Sequence, residues 1–97
     1  VTRLRTQQAR KELYINWYQQ VEELKKQQAR IDLYESSSLD QAELIIKNAS
    51  LGFQEGEIGY LEWTVLMNNA INIRVGYLEA IKKYNEIIIE IEYLGNK

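Results

Sequence analysis

A chain of 97 residues with 45% apolar and 27% charged residues has room for one modest core, and its composition is that of a folding sequence rather than a disordered or collagen-like one. Cysteine and histidine are both absent, which removes disulfides, thiolate or imidazole metal sites, cysteine nucleophiles and Ser-His-Asp triads. Twelve basic against fourteen acidic residues leave a net charge of −2, without the basic excess of a phosphate-backbone binder, so no nucleic acid is expected as a partner.

Position 1 is Val1 rather than methionine, which reads as a processed or excised piece of a larger protein. No apolar run approaches the ~18 residues of a spanning helix, and Val1 to Arg10 lacks the apolar stretch of a signal peptide. No membrane contact is expected of the chain itself. The missing cysteines suit the cytoplasm and an oxidising compartment equally.

Proline is absent and glycines number five, so almost nothing interrupts helix formation. The spacing predicts a first helix over about 2–53. Arg3, Arg5, Arg10 and Lys11 open it as a solvated basic face, without interleaved aromatics. Tyr14, Trp17, Val21, Leu24 and Ile31 then follow a coiled-coil spacing, which Ala42, Ile45, Ile46, Ala49 and Phe53 resume. Between these two runs the same seam meets Gln28, Glu35 and Ser38. Ser36-Ser37-Ser38 has weak helix propensity and hydroxyls that compete for backbone groups. A kink is expected near Ser36-Ser38; alternatively, Ser38 with Gln41 three residues on reads as a capping box that breaks the helix there.

Gly52, Gly56 and Gly59 fall within eight residues and mark a turn, the tip, over about 54–60. A second helix is predicted over about 61–94, roughly 50 Å long. Its seam is explicit: Trp63, Ala70, Tyr77, Tyr84 and Ile91 in one row, Leu66, Ile73, Ala80, Ile87 and Leu94 in the other. Met67, Ile71, Leu78, Ile81 and Ile88 widen the apolar arc, so this helix is expected to touch more than one neighbour. Tyr77 and Tyr84 stand where leucine would pack better, which favours a polar-tolerant interface such as the wall of a wider helical barrel. Gly95 follows the last apolar residue as a C-cap. A short connection forces the two helices antiparallel. The fold class is therefore all-α: a long antiparallel helical hairpin, coiled-coil-like, forming one domain over 1–97.

The tip concentrates the unusual chemistry. Phe53, Tyr60 and Trp63 are read as closing the end of the seam, with Gly56 or Gly59 supplying a positive φ. A glycine-shaped tip with aromatic and acidic flanks also makes a docking surface for another protein. Glu55, Glu57 and Glu62 lack the pocket that acid-base catalysis requires, and they lack EF-hand spacing for a hard cation. Gly52-x-x-x-Gly56 has no Gly-Lys-Ser/Thr after it and no strand before it, so no phosphate loop is present. Asn48-Ala49-Ser50 fits the glycosylation pattern only by coincidence. No catalytic residue, metal ligand or cofactor site is assigned, and the chain is read as not an enzyme.

The stretch Ala42-x-x-Ile45-x-x-x-Ala49-x-x-x-Phe53-x-x-Gly56-Glu57-Ile58-x-Tyr60-x-Glu62-Trp63 continues through Ala70, Ile73, Tyr77-Leu78, Ala80, Tyr84-Asn85 and Glu92-Tyr93-Leu94. It resembles the C-terminal part of TolC-like outer-membrane efflux proteins, in particular their heavy-metal, CusC/CzcC-type branch. The resemblance runs from about Leu39 to Leu94; from Val1 to Ser38 it amounts to coiled-coil character. It implies the second of two helical pairs in each protomer of a homotrimeric tunnel, lining a periplasmic α-barrel in a Gram-negative bacterium. It also implies that the tip meets the periplasmic adaptor (membrane-fusion) protein of a tripartite pump for heavy metals or drugs. Carried over position by position, Phe53, Gly56, Glu57, Ile58 and Tyr60 would form the adaptor contact, with Glu55 and Glu62 as tunnel-mouth charges. The branch often carries proline near Leu39-Asp40, where this chain has none. The membrane β-strands of the tunnel are missing, so a stand-alone channel or a pump fused to such a segment is expected as the parent. The rival reading is a self-associating coiled-coil scaffold with no transport role.

Overall fold

Residues that mostly favour helix, with one glycine cluster between them, give two long limbs and one bend. The computed structural model describes residues 2–95. Helix α1 spans Thr2–Leu33, a π-helical turn spans Tyr34–Ser38, α2 spans Leu39–Gln54 and α3 spans Tyr60–Gly95. The first three elements form one continuous limb, and α3 returns antiparallel against both α1 and α2. The hairpin measures 76 × 23 × 15 Å. Leu13 and Leu94 line one groove, so the limb begins beyond the end of α3.

The seam of α3 lies as the heptads predict. Ala70, Ala80, Ile87 and Leu94 are buried, and Trp63, Leu66, Ile73, Tyr77, Tyr84 and Ile91 are half-buried. Across from them Ala42 and Ala49 are buried in α2. Alanine at these crossings lets the backbones approach closely, and no large side chain among the described residues is fully enclosed. The wider arc of α3 divides: Met67, Ile81 and Ile88 are half-buried, whereas Ile71 and Leu78 stand exposed.

In the first limb Leu24 and Ile31 are covered as the expected seam requires, Val21 is half-buried beside Gln20, and Trp17 stands exposed, but the rest of the row is displaced. Tyr14, Gln28 and Glu35 are exposed, and their N-terminal neighbours Leu13, Gln27 and Tyr34 are covered instead. The covered row advances by sevens through Leu13, Gln20, Gln27 and Tyr34, then by eight to Ala42, then by seven to Ala49. One extra residue has entered the limb, and the π turn holds it. Leu39 N–H donates to the Tyr34 carbonyl, five residues back, which widens the helix by one residue without ending it.

Of the two expectations at Ser36-Ser38, the alternative of a helix break at Ser38 does not occur. Ser38 keeps helical angles of −66° and −37° and makes no capping bond. Gln41 Nε2 donates instead to Ser37 Oγ at 3.5 Å, and Ser36 Oγ donates to the Leu33 carbonyl at 3.3 Å. The limb needs an added residue in phase rather than a new helix start, and a serine run yields to that demand at little cost in helix propensity.

Contacts across the hairpin fix the π turn. The Tyr34 ring lies against Tyr77, centroids 5.9 Å apart, and its hydroxyl end occupies the space beside Gly76 where a side chain would stand. The Tyr77 hydroxyl donates to Glu35 Oε1 at 2.9 Å. That hydrogen bond chiefly, with desolvation and the nearby carboxylate charge adding to it, holds the Tyr77 phenol pKa above its ordinary value.

Close packing at the alanines sets the rod spacing. Replacing Ala80, fully buried, by leucine overpacks the seam and is expected to cost about 1–3 kcal/mol. The same side chain added at exposed Glu79 should change stability by less than about 0.5 kcal/mol. Urea denaturation of Ala80→Leu and Glu79→Leu measures both, and equal costs would remove the alanines from their role.

Candidate functional site: the acidic aromatic tip

The bend is built by backbone hydrogen bonds. Gly56 has a φ of +75°, the only positive value among the described residues. Gly56 N–H donates to the Phe53 carbonyl at 3.2 Å and Glu57 N–H to the Gly52 carbonyl at 2.8 Å. This pair of bonds is a Schellman C-cap, with Gly56 in the left-handed position that a side chain disfavours. Ile58 N–H also reaches the Gly52 carbonyl, at 3.3 Å. Its side chain folds back so that Cγ1 lies 3.4 Å from where a Cβ on Gly52 would be. Gly52 is buried for that reason, and Ile58 serves as the apolar closure of the cap. Beyond it, the Gly59 carbonyl accepts the first bond of α3 from Trp63 N–H at 3.0 Å.

The aromatic residues gather on this frame. Phe53 and Trp63 have ring centroids 5.3 Å apart, Tyr60 and Trp63 6.1 Å, and Phe53 and Tyr60 6.5 Å. Phe53 does not sit in the seam, where Gly52 holds the row; it lies on the flank with its ring partly in solvent, and Tyr60 is 66% exposed. The ring edges thus form a fixed, accessible patch. Aromatic pairs at such distances add about 0.5–1.5 kcal/mol beyond their buried area.

Charge at this end is of one sign. Glu55, Glu57 and Glu62 are exposed, and no lysine or arginine occurs between Lys47 and Arg74. Glu62 lies in the first turn of α3, where the helix dipole favours a carboxylate. The described residues contain no acidic group arranged to hold a metal ion. Alongside the tip, Leu44, Ile45, Asn48, Ile58 and Leu66 line an open, mainly apolar groove of about 460 Å³.

Of the expected contact residues, Phe53, Gly56, Glu57 and Tyr60 are exposed at the bend, and Ile58 is half-buried as part of the turn's own packing. Glu55 and Glu62 flank it, exposed. Two further residues build the site beyond the expected contact set. Trp63, read with Phe53 and Tyr60 as closing the end of the seam but not among the contact residues, anchors the aromatic patch, and Gly52 is the floor on which Ile58 rests. The spacing Gly52-x-x-x-Gly56-x-Ile58 is the signal that marks that floor. Comparison with known protein families, curated proteins and solved structures finds no match to the chain.

If Gly56 sets the bend, Gly56→Ala is expected to cost about 1–2 kcal/mol, the penalty of a side chain in the left-handed region, and Gly56→Asn less. Thermal unfolding of the two variants tests this. A wild-type melting point for Gly56→Ala would show that the turn does not depend on the positive φ.

Proposed function

We propose that this hairpin is a non-enzymatic wall segment of a TolC-like export tunnel, set in the periplasm of a Gram-negative bacterium, whose tip docks a periplasmic adaptor protein. The observation that carries the reading is the tip itself: a backbone-fixed bend at the end of a 76 Å rod, presenting Phe53 and Tyr60 and three uncompensated carboxylates to solvent. Rigid aromatic edges lose little entropy on binding and make good anchors. The negative end favours an adaptor hairpin with basic or neutral residues at its own tip.

The flanks support the wall role. Leu44, Leu51, Leu61, Val65, Ile71 and Leu78 are large, apolar and exposed, more than one hairpin of this thickness can cover. In the full-length homotrimer they would meet neighbouring helices, and substrates, heavy metals or drugs, would pass along the assembled wall rather than bind to this segment. With no cysteine or histidine, selectivity for soft metals would lie elsewhere in the pump. The same exposed flanks favour a second reading, a self-associating coiled-coil scaffold, in which the tip sequence has no role.

Tyr60→Ala distinguishes the two. Because the ring is 66% exposed, the variant should keep its unfolding midpoint while affinity for the pump's adaptor falls about tenfold or more, as expected for an interface anchor. Unchanged adaptor binding, with self-association intact, would favour the scaffold and sink the docking role.

A further inference from the structure

The first limb carries two competing seams, and the π turn decides between them. The row in use is Leu13, Gln20, Gln27 and Tyr34. One residue along lies a second row, Tyr14, Val21, Gln28 and Glu35, which continues in uninterrupted sevens to Ala42 and Ala49. Leu24 and Ile31 are covered in the observed seam and lie beside either row, Trp17 stands exposed at its edge, and Val21 is already half-buried. At the standard helical advance per residue, bringing the second row to the line of the first is a rotation of α1 by about 100° about its own axis, with a shift of about 1.5 Å along it. It requires no unfolding, only conversion of the π turn to plain α-helix.

Both settings satisfy their polar groups. Gln27, only 4% exposed, donates to Glu23 Oε1 at 3.0 Å and accepts from Arg30 at 2.9 Å. Gln28 already donates to Asp32 Oδ1 at 2.9 Å, so its amide has a partner on its own helix to carry inward. Glu35, the one charge the second seam would cover, already accepts the Tyr77 hydroxyl. Tyr14 and Val21 are apolar enough to pack. What holds the observed setting is Tyr34 seated in the space left by Gly76.

We propose that α1 is a two-position rotary element, with the π turn at Tyr34–Ser38 as its switch and the Tyr34–Gly76 seat as its latch. In the observed position Tyr14, Ile15 and Tyr18 face solvent; in the other, Tyr14 turns into the seam and Leu13 turns out. A partner that grips the Tyr14 face holds the π turn, and one that grips Leu13 releases it, because a ligand shifts such an equilibrium by its differential affinity. This inference does not rest on the export reading.

The chain lacks cysteine, so single thiols report the setting directly in the 97-residue protein. In the wild-type background Gln27→Cys should react with a maleimide about tenfold more slowly than Gln28→Cys, as a shielded position does. Gly76→Ala fills the seat, raises helix propensity in α3 and should reverse that order. Tyr34→Ala removes the latch without adding volume and should reverse it as well, which covers the event that Gly76→Ala fails to fold. Deleting Ser37 removes the extra residue, brings the observed row into uninterrupted sevens, and should slow Gln27→Cys further with helix content retained. An unchanged order in both latch variants, both thiols becoming equally reactive, or loss of helix on the deletion would each overturn the proposal.

Discussion

Two helices can share a seam along their whole length only while their apolar rows stay in step, and the first limb of this hairpin carries one residue too many. The α3 rows run in sevens without interruption from Trp63 to Leu94, whereas the opposing row takes one step of eight, from Tyr34 to Ala42. A residue out of phase must loop out, break the helix or widen it. Here it widens the helix, because the hydrogen bond from Leu39 to Tyr34 carries the ladder across the extra residue, and an opened chain would leave backbone groups unpaired. Gly76 lies opposite and makes room for the tyrosine that the wider turn presents. The placing of Gln27, the exposure of Tyr14 and the Tyr77–Glu35 bond all follow from this accommodation.

A second consequence concerns how much such a rod encloses. A section of 23 × 15 Å holds one stripe of side chains, and alanine occupies four of its most deeply covered positions, Ala42, Ala49, Ala70 and Ala80. Alanine brings the helices together but buries little apolar area of its own, so the favourable transfer energy per residue is low. Large apolar side chains are left on the flanks, Leu61 at 80% exposure being the extreme. A two-helix rod of this kind reaches full burial only against further helices, which links the exposed arc of α3 to the wall role proposed for it.

The α3 limb was legible because its pattern is strong and unopposed: no glycine but Gly76 and Gly95, no proline, and two apolar rows over more than four heptads. The bend was legible for a similar reason, since Gly56 takes the positive φ that a helix C-terminus calls for. The first limb was only partly legible. Periodicity extended backward from Ala42 and Ala49 reaches Glu35, Gln28, Val21 and Tyr14, a self-consistent row. Nothing local signals that the helix will absorb a residue; the deciding partner, Gly76, lies about forty positions away on the other strand of the hairpin. The serine run announced that something happens at 36–38, but a weak-helix signal does not distinguish a cap from a π turn. At the tip the grouping of Phe53, Tyr60 and Trp63 was legible, whereas the role of Gly52 was not, because only the folded turn brings Ile58 back over it.

The two irregular places divide the labour of the molecule. At the bend, three carbonyl-directed hydrogen bonds, a left-handed glycine and Ile58 folded onto Gly52 leave few soft torsions, so the aromatic edges are held where a partner would find them. At the π turn the hydrogen-bond ring is one residue wider than an α-turn, three of its five residues are serines, and what fixes it is the seat of Tyr34 beside Gly76. Motion in α1 is thereby separated from the tip by α2, a helix anchored at one end by the Schellman bonds and along its length by Ala42 and Ala49 against α3. A rotation of α1 would therefore change the face offered to solvent far from the bend while leaving the aromatic tip in place. Among the described residues, the one left-handed residue thus sits at the bend and the one π turn lies sixteen or more residues up the limb, so a fixed end and an adjustable side are compatible within one rod.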